Sequence, residues 1–260
     1  MRYVLRFALI AAYTVFWGVP AMLVAPFSGE AIVWIGRRWL SWIFRSCGIR
    51  LVSEGLEQID RTRSYVFMSN HQSVLDIGAL VLTLPVSWRF VAKRELTWVP
   101  FFGWALGLSD QIVIDRGNRT RAVRSLQRAA ERIRAGLNVI IFPEGTRSPT
   151  GELREFKSGG FHLAIRAQVP ILPATVSGSF GLIPKRSLKV YSGTIKVVYG
   201  APIPTEGMRT DQRHELKDRV REAIERGYDP DLQAPSAGAA AGAQSSAASF
   251  DARSKMSPSA

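Results

Sequence analysis

The sequence predicts an α/β fold: a single domain with a mixed, largely parallel central sheet flanked by helices, preceded by an N-terminal membrane-associated two-helix segment. Three observations predict it. The 260 residues suit one well-packed domain with an appendage. Between residues 48 and 228, short β-favouring runs alternate with longer amphipathic stretches, as is typical of strands interleaved with helices. The segments before residue 48 are rich in apolar and aromatic side chains.

The first element is an uncharged, mostly apolar run from Phe7 to Phe27. At about 1.5 Å per residue, a helix of this length reaches about 30 Å, which matches the hydrocarbon core of a bilayer. Arg2 and Arg6 also fit the positive region of a signal peptide, which is the competing interpretation. The run is long for a signal peptide, and no clear cleavage site follows it. A membrane-associated helix is therefore predicted.

The second segment, Ala31 to Phe44, is too short and too charged to cross a bilayer. Its tryptophans and arginines are typical of an amphipathic helix at a membrane interface. A Trp-rich helix buried against the domain is the alternative. The arginines that follow the first run favour the cytoplasmic side, because positive charge tends to stay inside. We therefore expect residues 1–47 to anchor the protein monotopically.

Residues 48–228 are predicted to form the domain. Its strands are predicted at Ile49–Ser53, Ser64–Met68, Arg89–Ala92, Gln111–Ile114, Asn138–Phe142, Ile171–Val176 and Thr194–Tyr199. Its helices are predicted at Ser73–Leu84, Arg119–Ala135, Gly159–Ala167 and Thr210–Arg226. Beyond residue 228 the composition changes to Ala, Ser, Gly and Pro with few aromatic residues. Such a segment cannot bury enough apolar surface to fold, so residues 229–260 are predicted to form a disordered tail.

The chain is strongly basic, with 34 Lys and Arg against 21 Asp and Glu and a formal net charge of +13. This excess indicates an anionic partner, such as nucleic acid, an anionic membrane surface or a phosphorylated substrate. No zinc-finger spacing and no aromatic-basic RNA-binding signature occurs, so we do not expect nucleic acid. An anionic membrane surface is the expected partner.

Cysteine and histidine content bears on redox chemistry and metals. Cys47 is the only cysteine, so an intrachain disulfide is excluded and a reducing compartment is favoured. The three histidines, His71, His162 and His214, form no ligand pattern with it. No metal site is expected.

The stretch Asn70-His71-Gln72-Ser73-Val74-Leu75-Asp76 places a histidine and a carboxylate between a predicted strand and a predicted helix. A histidine can accept a proton near neutral pH, and a carboxylate can fix its tautomer. Residues five apart in an ideal helix lie about 140° apart, so the pair meets only if His71 precedes the helix. Ser73 is suited to begin that helix as an N-cap, with Asp76 completing a capping-box-like pair. The alternative is that Asp76 only caps the helix and His71 is an ordinary loop residue.

A second candidate site follows the predicted strand at Asn138–Phe142, in the sequence Pro143-Glu144-Gly145-Thr146-Arg147-Ser148. Gly145 can adopt a positive φ and so permits a tight turn. Arg147 offers a planar fork suited to a phosphate, Thr146 adds a hydroxyl, and Glu144 can bind a polyol hydroxyl. A surface turn with an incidental salt bridge is the alternative.

Two further blocks are less specific. Lys93-Arg94-Glu95-Leu96 leads to the predicted strand Gln111–Ile114, and Arg116 follows the end of that strand. Two arginines at neighbouring strand ends, Arg116 and Arg147, can converge on one phosphate, although ordinary surface ion pairs explain Arg116 as well. In the second block, Val169-Pro170-Ile171-Leu172-Pro173, prolines remove backbone donors and hold an extended path. An apolar channel wall and a plain edge strand both remain open there.

Taken in order, these four blocks resemble the glycerophospholipid acyltransferase family, which acylates lysophospholipids and glycerol phosphates. The blocks are the His71-to-Asp76 pair, the block with Arg116, the FPEGTRS block ending at Ser148, and the Val-Pro-x-x-Pro block. The resemblance covers residues 53–204. It implies the α/β fold of the glycerol-3-phosphate acyltransferases. Within the family the chain is most similar to bacterial enzymes that acylate 1-acyl-sn-glycerol-3-phosphate, since a complete FPEGTRS block fits a phosphate-bearing acceptor.

The resemblance implies a role for each matching residue. His71 resembles the general base that removes the acceptor's hydroxyl proton, and Asp76 the carboxylate that orients it. The implied phosphate ligands are Arg116 and Arg147. The other implied substrate contacts are Glu144, Gly145 and Thr146 to the glycerol phosphate, and Lys93 near the acyl donor.

The implied reaction is transfer of an acyl chain from acyl-CoA or acyl carrier protein to the sn-2 hydroxyl of lysophosphatidic acid. The product is phosphatidic acid, and the reaction belongs to phospholipid synthesis. No cofactor is expected beyond the donor's own carrier. The implied location is the cytoplasmic face of the inner membrane.

Three alternatives remain open. In the first, the acceptor is another lysolipid, such as lyso-ornithine lipid, or glycerol-3-phosphate itself. In the second, the protein is a lipid hydrolase, because Ser177-Gly178-Ser179-Phe180-Gly181 resembles a nucleophile elbow, although the first glycine is missing. In the third, the protein binds membranes and has no enzymatic activity, which the N-terminal segments and the basic charge favour.

Overall fold

A computed structural model describes residues 2–24, 27–93, 112–114, 119–183 and 189–233. The described helices are α1 (Arg2–Val24), α2 (Gly29–Cys47), α3 (Leu75–Thr83), α4 (Arg119–Arg134), α5 (Gly159–Ala167) and α6 (Arg213–Arg226). The described strands are β1 (Ile49–Glu54), β2 (Val66–Ser69), β3 (Arg89–Lys93), β4 (Ile112–Ile114), β5 (Val139–Ile141), β6 (Ile171–Ser177) and β7 (Gly193–Tyr199).

Within the described residues the strands form one seven-stranded sheet in the order β1-β7-β6-β2-β5-β3-β4. β6 and β7 pair antiparallel, and every other neighbouring pair is parallel. A parallel sheet needs both faces covered, so its central strands are apolar throughout. All four residues of β2 and all three of β5 are buried, in agreement with that rule. The predicted mixed, largely parallel α/β fold is confirmed.

The two faces of the sheet carry separate hydrophobic cores. Phe67 of β2 points into the core that also contains residues of α2 and α3. Val66 and Met68, its neighbours on the strand, point into the other core, with α4, α5 and α6. This alternation follows from the two-residue period of a strand. The helices therefore sandwich the sheet and hold its central strands rigidly.

Three central strands end at the same edge of the sheet. β2 pairs parallel with β5 on one side and with β6 on the other. Their carboxyl ends lead into residues 70–74, 142–148 and 178–179. In open parallel sheets this edge is where ligands bind. The fold therefore brings the first and third sequence blocks together with residues 178–179, which follow the strand that begins in the fourth block.

The N-terminal helices pack on each other and on the domain. Arg6 of α1 donates to the carbonyl of Val190 at 2.5 Å, and Tyr13 hydrogen-bonds Ser46 of α2 at 3.0 Å. On α2, Phe44 is buried and packs over Gly78 of α3. On the opposite face of α2, Trp34 keeps 54% and Trp42 keeps 38% of full accessibility. α2 thus combines the two interpretations of the second segment, since one face packs on the domain and the other carries partly exposed tryptophans that lie against α1.

Several element boundaries differ from the predicted ones. α1 begins at Arg2 and ends at Val24, and α2 extends from Gly29 to Cys47. The strand predicted from Asn138 begins one residue later, because the Asn138 side chain accepts the Tyr65 N–H at 2.8 Å. The helix predicted from Thr210 starts as a short 3-10 turn.

Residues 229–233, which the sequence analysis assigned to the tail, lie against the domain. Pro230–Gln233 forms a 3-10 turn, and the Asp229 N–H donates to Ser177 Oγ at 3.0 Å. These contacts hold the segment against the strand end of β6, so it belongs to the domain. Residues 234–260 lie outside the described residues, and the rest of the predicted domain division stays a prediction.

Candidate active site

His71 and Asp76 meet in the turn after β2. His71 Nδ1 lies 3.0 Å from Asp76 Oδ2. Asp76 is fully buried, whereas the His71 side chain keeps 14% of its accessibility. The imidazole also stacks on Phe142, with ring centroids 4.0 Å apart and planes 19° apart. The predicted meeting of the pair, with His71 in the turn and Asp76 in the first turn of the helix, is what the structure contains.

This arrangement selects one tautomer of His71. A carboxylate only accepts hydrogen bonds, so the proton of a neutral imidazole lies on Nδ1 and points to Asp76. Nε2 is then left as a free base. Within the described part of the chain, no hydrogen bond occupies Nε2. The ring therefore has the form that can remove a proton from a bound hydroxyl group.

The Asp76 carboxylate accepts four hydrogen bonds. Its Oδ2 atom takes those from His71 Nδ1, from the Gln72 N–H at 2.6 Å and from the Ser73 N–H at 2.8 Å. Its Oδ1 atom accepts from Ser179 Oγ. An ionised carboxylate has about four lone-pair sites, so this buried charge is fully satisfied.

The predicted capping box is only half formed. Asp76 does bind the Ser73 N–H, but the helix N-cap is Val74, which makes no side-chain capping bond. Ser73 Oγ instead accepts the Leu75 N–H at a long 3.4 Å. Asp76 Oδ2 accepts hydrogen bonds from the N–H groups of both Gln72 and Ser73. These residues therefore form a turn, and the helix begins after them, at Leu75. Asp76 therefore orients His71 and stabilises the turn at the same time.

Glu144 holds the His71 turn from the neighbouring strand. Its Oε1 atom accepts the His71 N–H at 2.6 Å and its Oε2 atom the Arg154 N–H at 3.1 Å. The side chain is buried, with 1% of its accessibility left. Burial raises the pKa of the Glu144 carboxyl above its usual value, while the two amides act in the opposite direction. Both oxygens are thus engaged by backbone, and the predicted contact of Glu144 with a polyol hydroxyl stays a prediction.

The rest of the FPEGTRS turn divides into a buried and an exposed part. Ser148 is buried, and its N–H donates to the His71 carbonyl at 2.7 Å. Gly145 has a φ of 70°, as the tight turn requires. Thr146 and Arg147 are exposed. The turn therefore fixes His71 with one end and presents a hydroxyl and a guanidinium with the other.

Lys157 is a neighbour of this turn that the sequence patterns did not single out. Its Nζ atom lies 3.3 Å from the position that a Cβ on Gly145 would occupy. The Lys157 N–H donates to the Pro143 carbonyl at 2.8 Å, so the backbone of the two segments is joined. Lys157 thus adds a second positive charge beside the turn that carries Arg147.

Two predicted site residues fall largely beyond what the structure describes. Arg116 lies outside the described residues. Lys93 is the last residue of β3, which pairs parallel with β4, and only its backbone is described. The predicted roles of Arg116 in phosphate binding and of Lys93 near the donor stay predictions.

The C-terminal part of the chain also reaches the turn. Gln72 Nε2 donates to the Tyr228 hydroxyl at 2.9 Å, and that hydroxyl donates to the Gly151 carbonyl at 3.0 Å. Burial raises the pKa of Tyr228 above its usual value, so the phenol keeps its proton at neutral pH. Local sequence patterns gave no signal for this contact, because its partners are 156 residues apart.

Ser179 does not have the geometry of a nucleophile. Its hydroxyl is fully buried and donates to Asp76 rather than to the imidazole. A nucleophilic serine needs its Oγ exposed and bonded to the base. The interpretation of residues 177–181 as a nucleophile elbow is therefore wrong.

Potential metal ligands are also dispersed. Among the described residues, no group of three or more His, Cys, Asp or Glu side chains could hold a metal ion. The expected absence of a metal and of a further cofactor stays a prediction. The chemistry available in the described residues is that of a base, its carboxylate and nearby cations.

Comparisons with known proteins agree on one family. A sequence profile described as Acyltransferase matches residues 50–177. The chain is 34% identical over 226 residues to 1-acyl-sn-glycerol-3-phosphate acyltransferase alpha of Homo sapiens, covering 86% of this chain and 80% of the relative. It is 37% identical over 229 residues to the 1-acyl-sn-glycerol-3-phosphate acyltransferase of Pseudomonas aeruginosa, covering 85% and 87%.

A solved structure is similar along most of its length. The crystal structure of the 1-acyl-sn-glycerophosphate (LPA) acyltransferase PlsC from Thermotoga maritima superposes with a TM-score of 0.72 at 27% sequence identity. The similarity covers 86% of this chain and 94% of the other. It therefore includes the sheet and the elements that carry the site.

We predict that Glu144→Gln destabilises the protein and slows its reaction. A glutamine has one acceptor oxygen, so one of the two amides now held by the buried Glu144 carboxylate loses its partner, at a cost of about 1–3 kcal/mol. Because the His71 amide is one of these two, the turnover number is expected to fall as well. Unfolding in denaturant and steady-state kinetics measure the two effects.

The matched control is Glu206→Gln, an exposed carboxylate outside the site. It is expected to change stability by no more than about 0.5 kcal/mol. Equal stability of the Glu144 and Glu206 variants would contradict the role given to the Glu144 carboxylate.

Proposed function

The chain belongs to the glycerophospholipid acyltransferase family and is an O-acyltransferase, and we propose that it acylates the sn-2 hydroxyl of lysophosphatidic acid to give phosphatidic acid. The observation that carries the proposal is the His71–Asp76 pair, 3.0 Å apart, with Nε2 free at the edge where three strands end. Relatives named 1-acyl-sn-glycerol-3-phosphate acyltransferase, similar over most of their length, support the acceptor.

In the proposed reaction, His71 Nε2 removes the proton of the sn-2 hydroxyl as its oxygen attacks the carbonyl carbon of the acyl thioester. The new carbon–oxygen bond gives a tetrahedral intermediate, which collapses by breaking the carbon–sulfur bond. The imidazolium returns its proton to the leaving thiolate. Lysophosphatidic acid and the thioester thus become phosphatidic acid and a free thiol. Asp76 stabilises the imidazolium between the two proton transfers.

The exposed end of the FPEGTRS turn is suited to the acceptor's phosphate. Arg147 offers a planar pair of donors, and Lys157 adds a point charge next to Gly145. Both lie on segments that are hydrogen-bonded to the His71 turn or to its neighbour. Arg116, at the end of the neighbouring block, completes the proposed phosphate site.

We propose that the protein acts at the cytoplasmic face of the inner membrane, with α1 and α2 as its membrane anchor. Leu5–Val24 is long and apolar enough to cross a membrane, and none of it is buried inside the protein. The exposed tryptophans Trp34 and Trp42 continue this surface onto α2, and their ring centroids lie 6.1 Å and 5.3 Å from that of Trp17 on α1. The net charge of +13 favours an anionic lipid surface.

The acceptor is tested with a panel and one labelled acyl-CoA. Lysophosphatidic acid, glycerol-3-phosphate, lysophosphatidylcholine and lyso-ornithine lipid are offered separately, and products are identified by lipid mass. We expect phosphatidic acid to form fastest. Faster acylation of an acceptor without a phosphate monoester would overturn the proposed substrate. Repeating the preferred acceptor with acyl carrier protein as the carrier shows which thioester serves as donor.

We predict that His71→Ala lowers the turnover number by about 10²–10⁴-fold, because the general base is lost. Circular dichroism and thermal unfolding should match the unmodified protein. His162→Ala is the matched control, since His162 lies on α5 away from the pair. Near-normal turnover in a folded His71→Ala variant would refute the assignment of the base.

We predict that Arg147→Ala raises the acceptor KM about tenfold and leaves the donor KM nearly unchanged, because only the acceptor loses a charge-assisted bond. Arg166→Ala, at the far end of α5 and exposed, is the matched control. Initial rates with each substrate varied in turn give both constants. Equal increases for donor and acceptor would count against a phosphate contact.

A further inference from the structure

The strand that begins in the fourth sequence block is followed by a contact that the proposed reaction has not yet used. β6 contains the second proline of that block and is followed by Gly178 and Ser179. Ser179 is fully buried, and its hydroxyl donates to Asp76 Oδ1. It lies 103 residues from Asp76 in sequence. We infer that Ser179 is a positioning residue, which holds the Asp76 carboxylate in the plane that His71 requires.

The geometry of Asp76 shows why one hydroxyl has this effect. Three donors, from His71, Gln72 and Ser73, converge on the same atom, Oδ2. A carboxylate that is hydrogen-bonded through only one oxygen can still rotate so that its second oxygen changes position. Ser179 holds Oδ1 and so removes this freedom. The lone pair that faces His71 Nδ1 then has a fixed direction, which fixes the tautomer and tilt of the ring.

The backbone around Ser179 is constrained to deliver this bond. Gly178 has a φ of 86°, and a Cβ there would lie 2.2 Å from the Thr194 carbonyl oxygen. Only glycine fits such a turn. Before the turn, Asn70 clamps the end of β6, because its amide donates to the Val176 carbonyl at 2.8 Å and accepts the Val176 N–H at 2.7 Å. The strand end is thus tied to the residue that precedes His71.

The chain offers a matched control two residues away. Ser177 is 1% exposed, and among the described residues its hydroxyl has one hydrogen-bond partner, the Asp229 N–H, which donates to Oγ. Ser177→Ala therefore removes a buried hydroxyl at the same strand end without touching Asp76. A purely structural role for Ser179 predicts similar behaviour of the two alanine variants. A positioning role predicts that only Ser179→Ala changes the state of His71.

The first measurement is independent of any substrate. Imidazole ¹⁵N shifts are recorded in detergent micelles at a pH where the rings are neutral, with His162 and His214 as internal references. The unmodified protein and Ser177→Ala are expected to show only the Nδ1-protonated tautomer of His71. Ser179→Ala is expected to add an Nε2-protonated population, because Asp76 can turn away. An unchanged His71 signal in folded Ser179→Ala would overturn the inference.

The second measurement is kinetic, and it rests on the proposed function for its substrates. Ser179→Ala is expected to lower kcat about ten- to hundredfold, the value of one hydrogen bond to a charged group. Both KM values should stay within about twofold, because Ser179 touches neither substrate. Ser179→Thr, which keeps the hydroxyl, should restore most of kcat, and Ser179→Cys, a weaker donor, should lie between.

The two measurements separate the possible failures. Absence of acyl transfer by the unmodified protein would defeat the proposed function, while the ¹⁵N spectra would still decide the coupling of Ser179 to His71. A kcat for Ser179→Ala equal to that of Ser177→Ala would overturn the positioning role. A covalent acyl adduct on Ser179 in intact-mass spectra, with complete loss of activity in Ser179→Ala, would overturn it in favour of a nucleophile. If Ser179→Ala does not fold, the comparison of Ser179→Cys with Ser177→Ala decides by the same criteria.

Discussion

The burial of the Asp76 carboxylate is the constraint on which the rest of the site depends. A fully buried charge is tolerated only when its lone pairs are satisfied. Asp76 meets this condition with two backbone amides, one hydroxyl and the imidazole. The amides shape the turn, the hydroxyl comes from the residue that follows β6 by two positions, and the imidazole is the proposed general base. One electrostatic requirement therefore fixes the backbone, the packing and the chemistry together.

The scaffold around this carboxylate is made of strand ends, not of mobile loops. Glu144, after β5, holds the His71 amide, and Ser148 holds its carbonyl. Asn70 joins the end of β2 to the end of β6. Because β2, β5 and β6 are buried on both faces, their ends move little relative to one another. If His71 is the base that we propose, it is thus held in position before any substrate binds, which would lower the entropic cost of reaching the reactive geometry.

The anchoring helices are physically connected to this scaffold. Phe44 of α2 packs directly on α3, the helix that begins with Asp76 in its first turn. Arg37 of α2 donates to the carbonyl of Leu84, at the other end of α3. In the proposed membrane-bound state, a lipid surface in contact with the exposed aromatic side chains of α1 and α2 would therefore lie one helix away from His71. This proximity suits an acceptor whose acyl chain stays in the bilayer while its headgroup reacts.

The features of the fold and of the site that depend on local pattern could be predicted from the amino-acid sequence alone. The alternation of strands and helices is local, and so are the five-residue spacing of His71 and Asp76 and the Gly145 turn. Contacts that depend on the register between strands became evident only in the tertiary structure. Both oxygens of Glu144 accept hydrogen bonds from backbone amides, and Ser179, which follows β6, donates a hydrogen bond to Asp76. Spacing along the chain carries no signal for such bonds, because a buried polar group takes whichever donor the neighbouring strand presents.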